Sequence, residues 1–334
     1  MSGTGSSVDT GYGALRTSVA VFPLSRDVVR VSGSDAVSYL QGQCSQDIAG
    51  LGVGATADAL LLSPQGKVDV FVRITRLGTD EYVVDTDAGF GDKIVARLER
   101  FRLRVKVDIE RVPWECVAVR GPEADESLVN PGVGEGGTPV LRLPVAWPGL
   151  SGFDLLGPPP ERGAAVDAWV VASVVRCEDE EWEAVRIEAG IPCNGREVTD
   201  ATIAAEVGLV DRSVSFTKGC FTGQELVARI DSRGSNVARR LAGLVMGAIA
   251  EAGTGDGHGA PGAPPVGAAV FTADGEHEVG QLSSVAWSPG LEATIALATL
   301  HRRVVPPETV SVRWESAGVA RQAPAQARPL PLVG

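Results

Sequence analysis

The feature that most constrains this chain is its punctuation. In 334 residues there are 41 glycines and 21 prolines, spread without a collagen-like period. Gly supplies positive φ and Pro a fixed φ, so both stop regular elements and start turns. The apolar residues between them come in short runs. Ala164 to Val175 is the longest, and it carries Asp167. It is too short to cross a bilayer, which takes roughly 20 apolar residues in a helix. Such a chain is expected to fold into many short elements in two domains or three small ones. With 44% hydrophobic and 22% charged residues, it has the material for packed cores and is not a disordered polymer.

Read along its length, the first part has strand character. Ser18 to Phe22 and Val28 to Val31 read as a hairpin pair, and a helix is expected from a cap at Ser34 through Leu40. Thr56 to Leu62 and Lys67 to Thr75 flank the turn Ser63-Pro64-Gln65-Gly66. Glu81 to Asp85 is a further strand, Ala88 to Phe101 has helical spacing, and Arg104 to Ile109 and Glu115 to Arg120 return to strand character. Residues 121–138 read as a loop and Phe153 to Leu156 as a strand. Ala164 to Arg176 reads as a helix, and a second helix runs from Glu178 to Gly190. The acids that open that second helix suit its dipole, and the glycine suits its end. After a Gly/Pro linker over 251–265, four alternating runs suggest a small antiparallel barrel or sandwich, with the Pro/Ala-rich end frayed. The coarse class is α+β followed by all-β. The Gly/Ser-rich start, residues 1–13, has no apolar core of a secretory signal and is expected to be a disordered leader.

Charge and cysteines narrow the function. The net charge is −12, which argues against nucleic-acid binding by bulk electrostatics. Five widely spaced cysteines without a CxxC, and three late histidines without metal-ligand spacing, suggest neither a disulfide framework nor a zinc site. A reducing, cytoplasmic setting is expected, with no membrane partner.

One stretch stands out, Lys218-Gly219-Cys220-Phe221-Thr222-Gly223-Gln224-Glu225. A lysine two residues before a thiol, at a glycine-bracketed junction opening an apolar run, is the pattern of an activated cysteine. The bland alternative is a tight turn with a buried cysteine acting as a small hydrophobe. From Lys218 to Arg240 there are five cations and two acids, a local +3 in a chain of −12. This suits a small anionic ligand, or else a solvated arginine face with intrahelical pairs.

These residues resemble the signature K-G-C-[YF]-x-G-Q-E of the YgfZ branch of the YgfZ/GcvT-like folate-binding proteins. Six fixed positions arise by chance in on the order of one in 10⁵ chains of this length. The likeness extends to Ser213–Thr217, Val227–Ile230 with Arg233-Gly234, Arg186-Ile187-Glu188-Ala189-Gly190-Ile191-Pro192, Leu40-Gln41-Gly42-Gln43 with Asp47, and Pro64-Gln65-Gly66-Lys67-Val68. Two positions depart from the family: Phe221 stands for the usual Tyr and loses a hydroxyl, and Ala204-Ala205-Glu206 stands where Pro-x-Glu is common.

The resemblance implies an α+β ring of small domains, with two interleaved ferredoxin-like units over 14–240 and an antiparallel β-barrel-like domain over 241–325. It implies tetrahydrofolate, or a one-carbon-substituted reduced folate, as ligand. Glu188 would accept the pterin, Arg229 or Arg233 would clamp the glutamyl carboxylates, and Gln43, Lys67, Gln224 and Glu225 would contribute to the same cavity. Cys220 would be the reactive thiol with Lys218 beside it, and no resident metal is implied. The implied role is support of iron–sulfur cluster assembly or repair, and of cluster-dependent tRNA modification, through transient contact with iron–sulfur proteins or assembly factors. A folate-dependent, aminomethyltransferase-like one-carbon transferase is the alternative.

Overall fold

The computed structural model describes residues 11–130, 138–234, 236–247 and 262–333. The first described elements are helix α1 (Gly11–Thr17) and strand β1 (Ala20–Pro23), followed by β2 (Arg26–Ser32), α2 (Ala36–Gln43), β3 (Thr56–Leu62), β4 (Val68–Gly78), β5 (Glu81–Asp87), α3 (Gly91–Phe101) and β6 (Asp108–Val112). Next come β7 (Glu115–Arg120), β8 (Leu141–Trp147), β9 (Leu150–Gly157), α4 (Ala165–Trp169), β10 (Val175–Arg176), α5 (Asp179–Ala189), α6 (Val210–Ser213) and α7 (Gln224–Asp231). The described part of the last third is all strand: β11 (Arg239–Met246), β12 (Ala269–Thr272), β13 (Glu278–Ser288), β14 (Ala293–His301), β15 (Glu308–Ser316) and β16 (Val319–Arg328).

Two sheets and a barrel result. The first sheet has the order β3-β4-β5-β2-β6, the second β10-β1-β7-β9-β8, and the barrel closes as β11-β14-β13-β12-β15-β16. The class is therefore α+β with a closed antiparallel barrel. β1 and β2 are not the hairpin their spacing suggests: β1 pairs with β7 and β10, whereas β2 pairs with β5 and β6. Two residues separate them, yet the chain leaves one sheet for the other there and returns at β7. The two α+β units are interleaved for that reason.

Local chemistry accounts for most elements. In α3, Ile94 and Leu98 lie one turn apart and are buried against the first sheet with Val29, Val72 and Tyr82. In α5, three acids occupy the first turn and Gly190 ends the helix at φ 72°, a left-handed position suited to glycine. Three further expectations fail. Ala164 to Arg176 is not one helix, because α4 ends at Trp169 and Val175–Arg176 pairs beside β1. The Pro/Ala-rich end is not frayed: β16 pairs with both β15 and β11 and closes the barrel, with Ala323, Ala325 and Ala327 buried inside. The expected leader extends too far, since Gly11 to Gly13 begin α1 and Tyr12 is buried. Residues 1–10, part of the 121–138 loop and most of the linker lie outside the described residues.

Each unit touches the other two, as a closed ring requires. Between the sheets, Arg73 of β4 donates to Asp85 (2.9 and 3.0 Å) and to Asp154 of β9 (2.5 Å). Arg120 of β7 completes the buried set with a 2.5 Å bond to Asp154. Burial alone would raise the Asp154 carboxyl, but the two guanidiniums outweigh it and hold it at about 2. The second unit meets the barrel where Trp182, Val185 and Ile187 of α5 pack with Ala286, Ile295 and Leu297. The first meets it where Leu60, Leu62, Val207 and Leu209 pack with Leu241.

Candidate functional site

The signature octapeptide runs from the loop after α6 into α7, and tertiary contacts fix it on both sides. Lys218 Nζ donates to the carbonyls of Gln41 (2.6 Å), Cys44 (2.5 Å) and Gln46 (2.8 Å). An ammonium has three donors, so all are used. They satisfy carbonyls at the C-terminal end of α2, where a cation also suits the helix dipole. Burial lowers the Lys218 pKa, with Cys44 and Asp47 acting against it. The Thr222 N–H donates to Gly42 O at 3.1 Å. Gln224 braces the loop from inside, accepting the Phe221 N–H at 3.1 Å.

The other side of the loop rests on the β3–β4 turn. Gly223 has φ 80° and Gly66 φ 76°. A Cβ on Gly223 would stand 2.4 Å from Ser63 O and 3.2 Å from Gly66 Cα, and one on Gly66 would stand 2.5 Å from Leu226 Cβ. Two glycines distant in sequence thus allow a backbone-to-backbone contact that side chains would block. Three separate motifs, Leu40–Gln43, Pro64–Lys67 and Lys218–Glu225, meet here.

The loop presents Cys220, which is exposed. That excludes the buried-cysteine alternative. Cys44 and Cys193 are pushed up to about 12 by burial, and Cys116 and Cys177 are also raised by burial. Four of the five thiols are therefore held in the unreactive, protonated form.

Of the remaining expected ligand residues, Gln43, Lys67 and Glu225 belong to the motifs that meet here, and Glu188 does not. Glu225, Arg229, Arg233 and Lys67 are exposed, and none of the four makes an ion pair among the described residues. Gln43 is a brace that accepts from Arg97 Nη1 at 2.9 Å. Glu188 is wholly buried, and its carboxylate is already engaged. Oε1 accepts from Tyr12 Oη (2.8 Å) and Ser288 Oγ, and Oε2 pairs with Arg16. A pterin needs an open acceptor on each oxygen, and in this arrangement Arg16 holds one of them. The Glu188 carbonyl accepts the Leu332 N–H at 2.7 Å, which ties down the C-terminal segment.

That segment lines a cavity of about 580 Å³ where the three units meet. Its wall includes Gly190 and Pro192 just after Glu188, Leu209 beside α6, Leu300 of the barrel, and Leu330 and Pro331. Three guanidiniums line it: Arg212, Arg240 and Arg302. Arg212 is also paired with Asp58. A mainly apolar cavity of this size with a few charged groups is the usual form of a small-molecule site. Arg229 and Arg233, where the clamp was expected, do not line the cavity. Sequence reading missed Tyr12, Arg16 and Ser288 because their link to Glu188 spans 100 or more residues. The pair Arg302-Arg303 was visible, but nothing local set it apart.

Among the described residues, no helix is long and apolar enough to cross a membrane. Residues 4–131 match the family model described as the GCVT N-terminal domain. The chain is 30% identical over 220 residues to the "tRNA-modifying protein YgfZ" of Edwardsiella ictaluri, covering 62% of this chain and 65% of that protein. It is 25% identical over 329 residues to an aminomethyltransferase of Corynebacterium jeikeium, covering 87% of this chain and 81% of the other. The glycine cleavage system aminomethyltransferase T of Bartonella henselae shares the fold, with a TM-score of 0.74 at 19% identity over 97% of this chain and 88% of its own. These likenesses assign the fold as GcvT-like and support membership of the GcvT/YgfZ superfamily.

Proposed function

We propose that this chain is a reduced-folate-binding accessory factor that serves iron–sulfur proteins through the thiol of Cys220. The observation that carries the folate reading is the cavity of about 580 Å³ next to the Glu188 turn, with Arg212, Arg240 and Arg302 on its wall. A reduced folate joins a flat, largely apolar body to a glutamyl end with two carboxylates. The apolar wall suits the body, and guanidiniums suit carboxylates as charge-assisted partners. Glu188 then acts as a positioning residue. Its carboxylate holds α1 and Ser288, and its carbonyl holds the segment that forms part of the wall.

The accessory reading rests on Cys220. One thiol supplies one of the roughly four ligands a cluster needs, so contact with an iron–sulfur protein is transient. Lys218 fixes the loop and is not itself a reacting group, because its donors are used. The extended similarity to aminomethyltransferases supports a second reading, a folate-dependent one-carbon transferase. Cys220 separates the two: such a transferase keeps its turnover in Cys220→Ala, whereas the accessory factor loses its effect on iron–sulfur enzymes.

Calorimetric titration of tetrahydrofolate into anaerobic protein tests the folate part. Wild type and Cys220→Ala are expected to bind alike, and Arg302→Ala about tenfold or more weakly, as for loss of a charge-assisted contact. No heat with any reduced folate would remove this reading.

A further inference from the structure

A second cationic stretch lies outside the signature, in the turn between α3 and β6. From Arg100 to Lys106 every second residue is basic, and no acid interrupts the series, in a chain of net charge −12. Arg102 pairs with Glu99 at 3.2 Å. Arg100, Arg104 and Lys106 are exposed, and none of the three makes an ion pair among the described residues. Leu103 stands in their midst at 79% exposure, the highest of any large apolar side chain among the described residues. Val105 and Ile109, just after it, pack on the core of the first unit, and Leu103 does not. Arg104 has φ 59°, a left-handed conformation that side chains other than glycine rarely adopt. The turn is nonetheless fixed: the Asp35 carboxylate accepts the Lys106 N–H at 2.7 Å, and Arg102 Nη1 donates to Val107 O at 2.9 Å. Asp35 precedes α2, and Lys218 caps the opposite end of that helix. The eight residues of α2 make about 12 Å of helix, so the turn and the Cys220 loop are held at its two ends.

We propose that the α3–β6 turn is a docking surface for an acidic face of the iron–sulfur protein that this chain serves, with Leu103 as its apolar anchor and Arg100, Arg104 and Lys106 as its charged rim. This rests on the accessory reading above. An apolar side chain ringed by cations fits a protein surface that offers an apolar pocket edged with carboxylates. A nucleic-acid backbone has nothing to receive Leu103, and the net charge of −12 repels a long polyanion. An interface of ordinary size covers about 800 Å² per partner, wide enough to reach from the turn to the far end of α2. Rim charges are individually weak, about two- to fivefold in affinity each, and truncating an apolar anchor costs about fivefold or more.

The probe is an acidic plant-type [2Fe–2S] ferredoxin carrying a fluorophore, with binding read by anisotropy at low ionic strength and at about 0.5 M salt, where exposed charges are screened. Wild type is expected to bind at low salt and to lose most of that affinity at high salt. Leu103→Ser is expected to bind about fivefold or more weakly and Arg100→Ala/Arg104→Ala about tenfold more weakly, while Arg162→Ala, an exposed arginine on another unit, matches wild type. No binding by wild type, or wild-type affinity in both turn variants, would overturn the docking surface. So would binding of bulk tRNA, weakened by the same substitutions, in place of ferredoxin. The accessory reading is judged separately, by iron–sulfur enzyme activity in cells carrying Cys220→Ala. Activity lost in that variant and kept in both turn variants removes the docking surface alone. Activity kept in Cys220→Ala removes the accessory reading, and the docking role with it.

Discussion

Gly223→Ala is the substitution that most directly probes how the Cys220 loop is held. The new Cβ would lie 2.4 Å from Ser63 O and 2.8 Å from Leu62 Cβ, on a residue with φ 80°. Neither neighbour yields easily. Ser63 O already accepts the Gly66 N–H at 2.8 Å, and Leu62 is wholly buried. Alanine in the left-handed region costs about 1–2 kcal/mol, and overpacking adds about 1–3 kcal/mol, so the loop contact weakens by about 2–5 kcal/mol. Cys44 reports on it, because its thiol is buried and its own carbonyl is one that Lys218 caps. If the loop opens and closes faster than the thiol reacts, the labelling rate follows the open population. A loss of 2 kcal/mol then speeds Cys44 alkylation about 30-fold, and larger losses speed it more. Peptide-resolved mass spectrometry after timed iodoacetamide labelling reads that rate. Gly219→Ala is the control, since a Cβ there has no atom within 4 Å. Cys44 labelling in Gly223→Ala within threefold of wild type, in a folded protein, would refute the anchoring argument.

Two further outcomes are expected. Lys218→Met strands carbonyls of Gln41, Cys44 and Gln46 and should cost about 1–3 kcal/mol in urea unfolding; a neutral result would mean that water replaces the ammonium. Asp154 sits at about 2 against an ordinary 3.8. Its depressed value gives stability that is present above about pH 4 and lost as pH falls towards 2, on the order of 2–3 kcal/mol in all. In Asp154→Asn that part of the acid-induced loss should disappear, and stability at pH 7 should drop by about 3–5 kcal/mol because Arg73 and Arg120 lose a buried partner. An unchanged acid limb in urea titrations would contradict the assignment.

The sequence by itself carried the α+β class, the separate all-β end and the motif set around Cys220. Those are local signals. The alternation in β13 to β15, the acidic start and glycine stop of α5, and the octapeptide with its glycines are all legible within a few residues of themselves. The meeting of Leu40–Gln43, Pro64–Lys67 and Lys218–Glu225 was implied by the resemblance, but its cause, glycine against glycine and an ammonium over a helix end, is visible only in three dimensions.

Tertiary structure decided the rest. Periodicity tells which face of an element is buried and not which partner buries it, so β1 and β2 looked like a hairpin although they belong to different sheets. Glu188 looked like a free acceptor because its partners lie 100 or more residues away in the chain. Arg229 and Arg233, which follow the octapeptide in sequence, lie outside the cavity, while Arg212, Arg240 and Arg302 are brought to its wall from separate segments. A charged side chain is long and its partner is chosen by the packing of three units, and no local pattern encodes that choice.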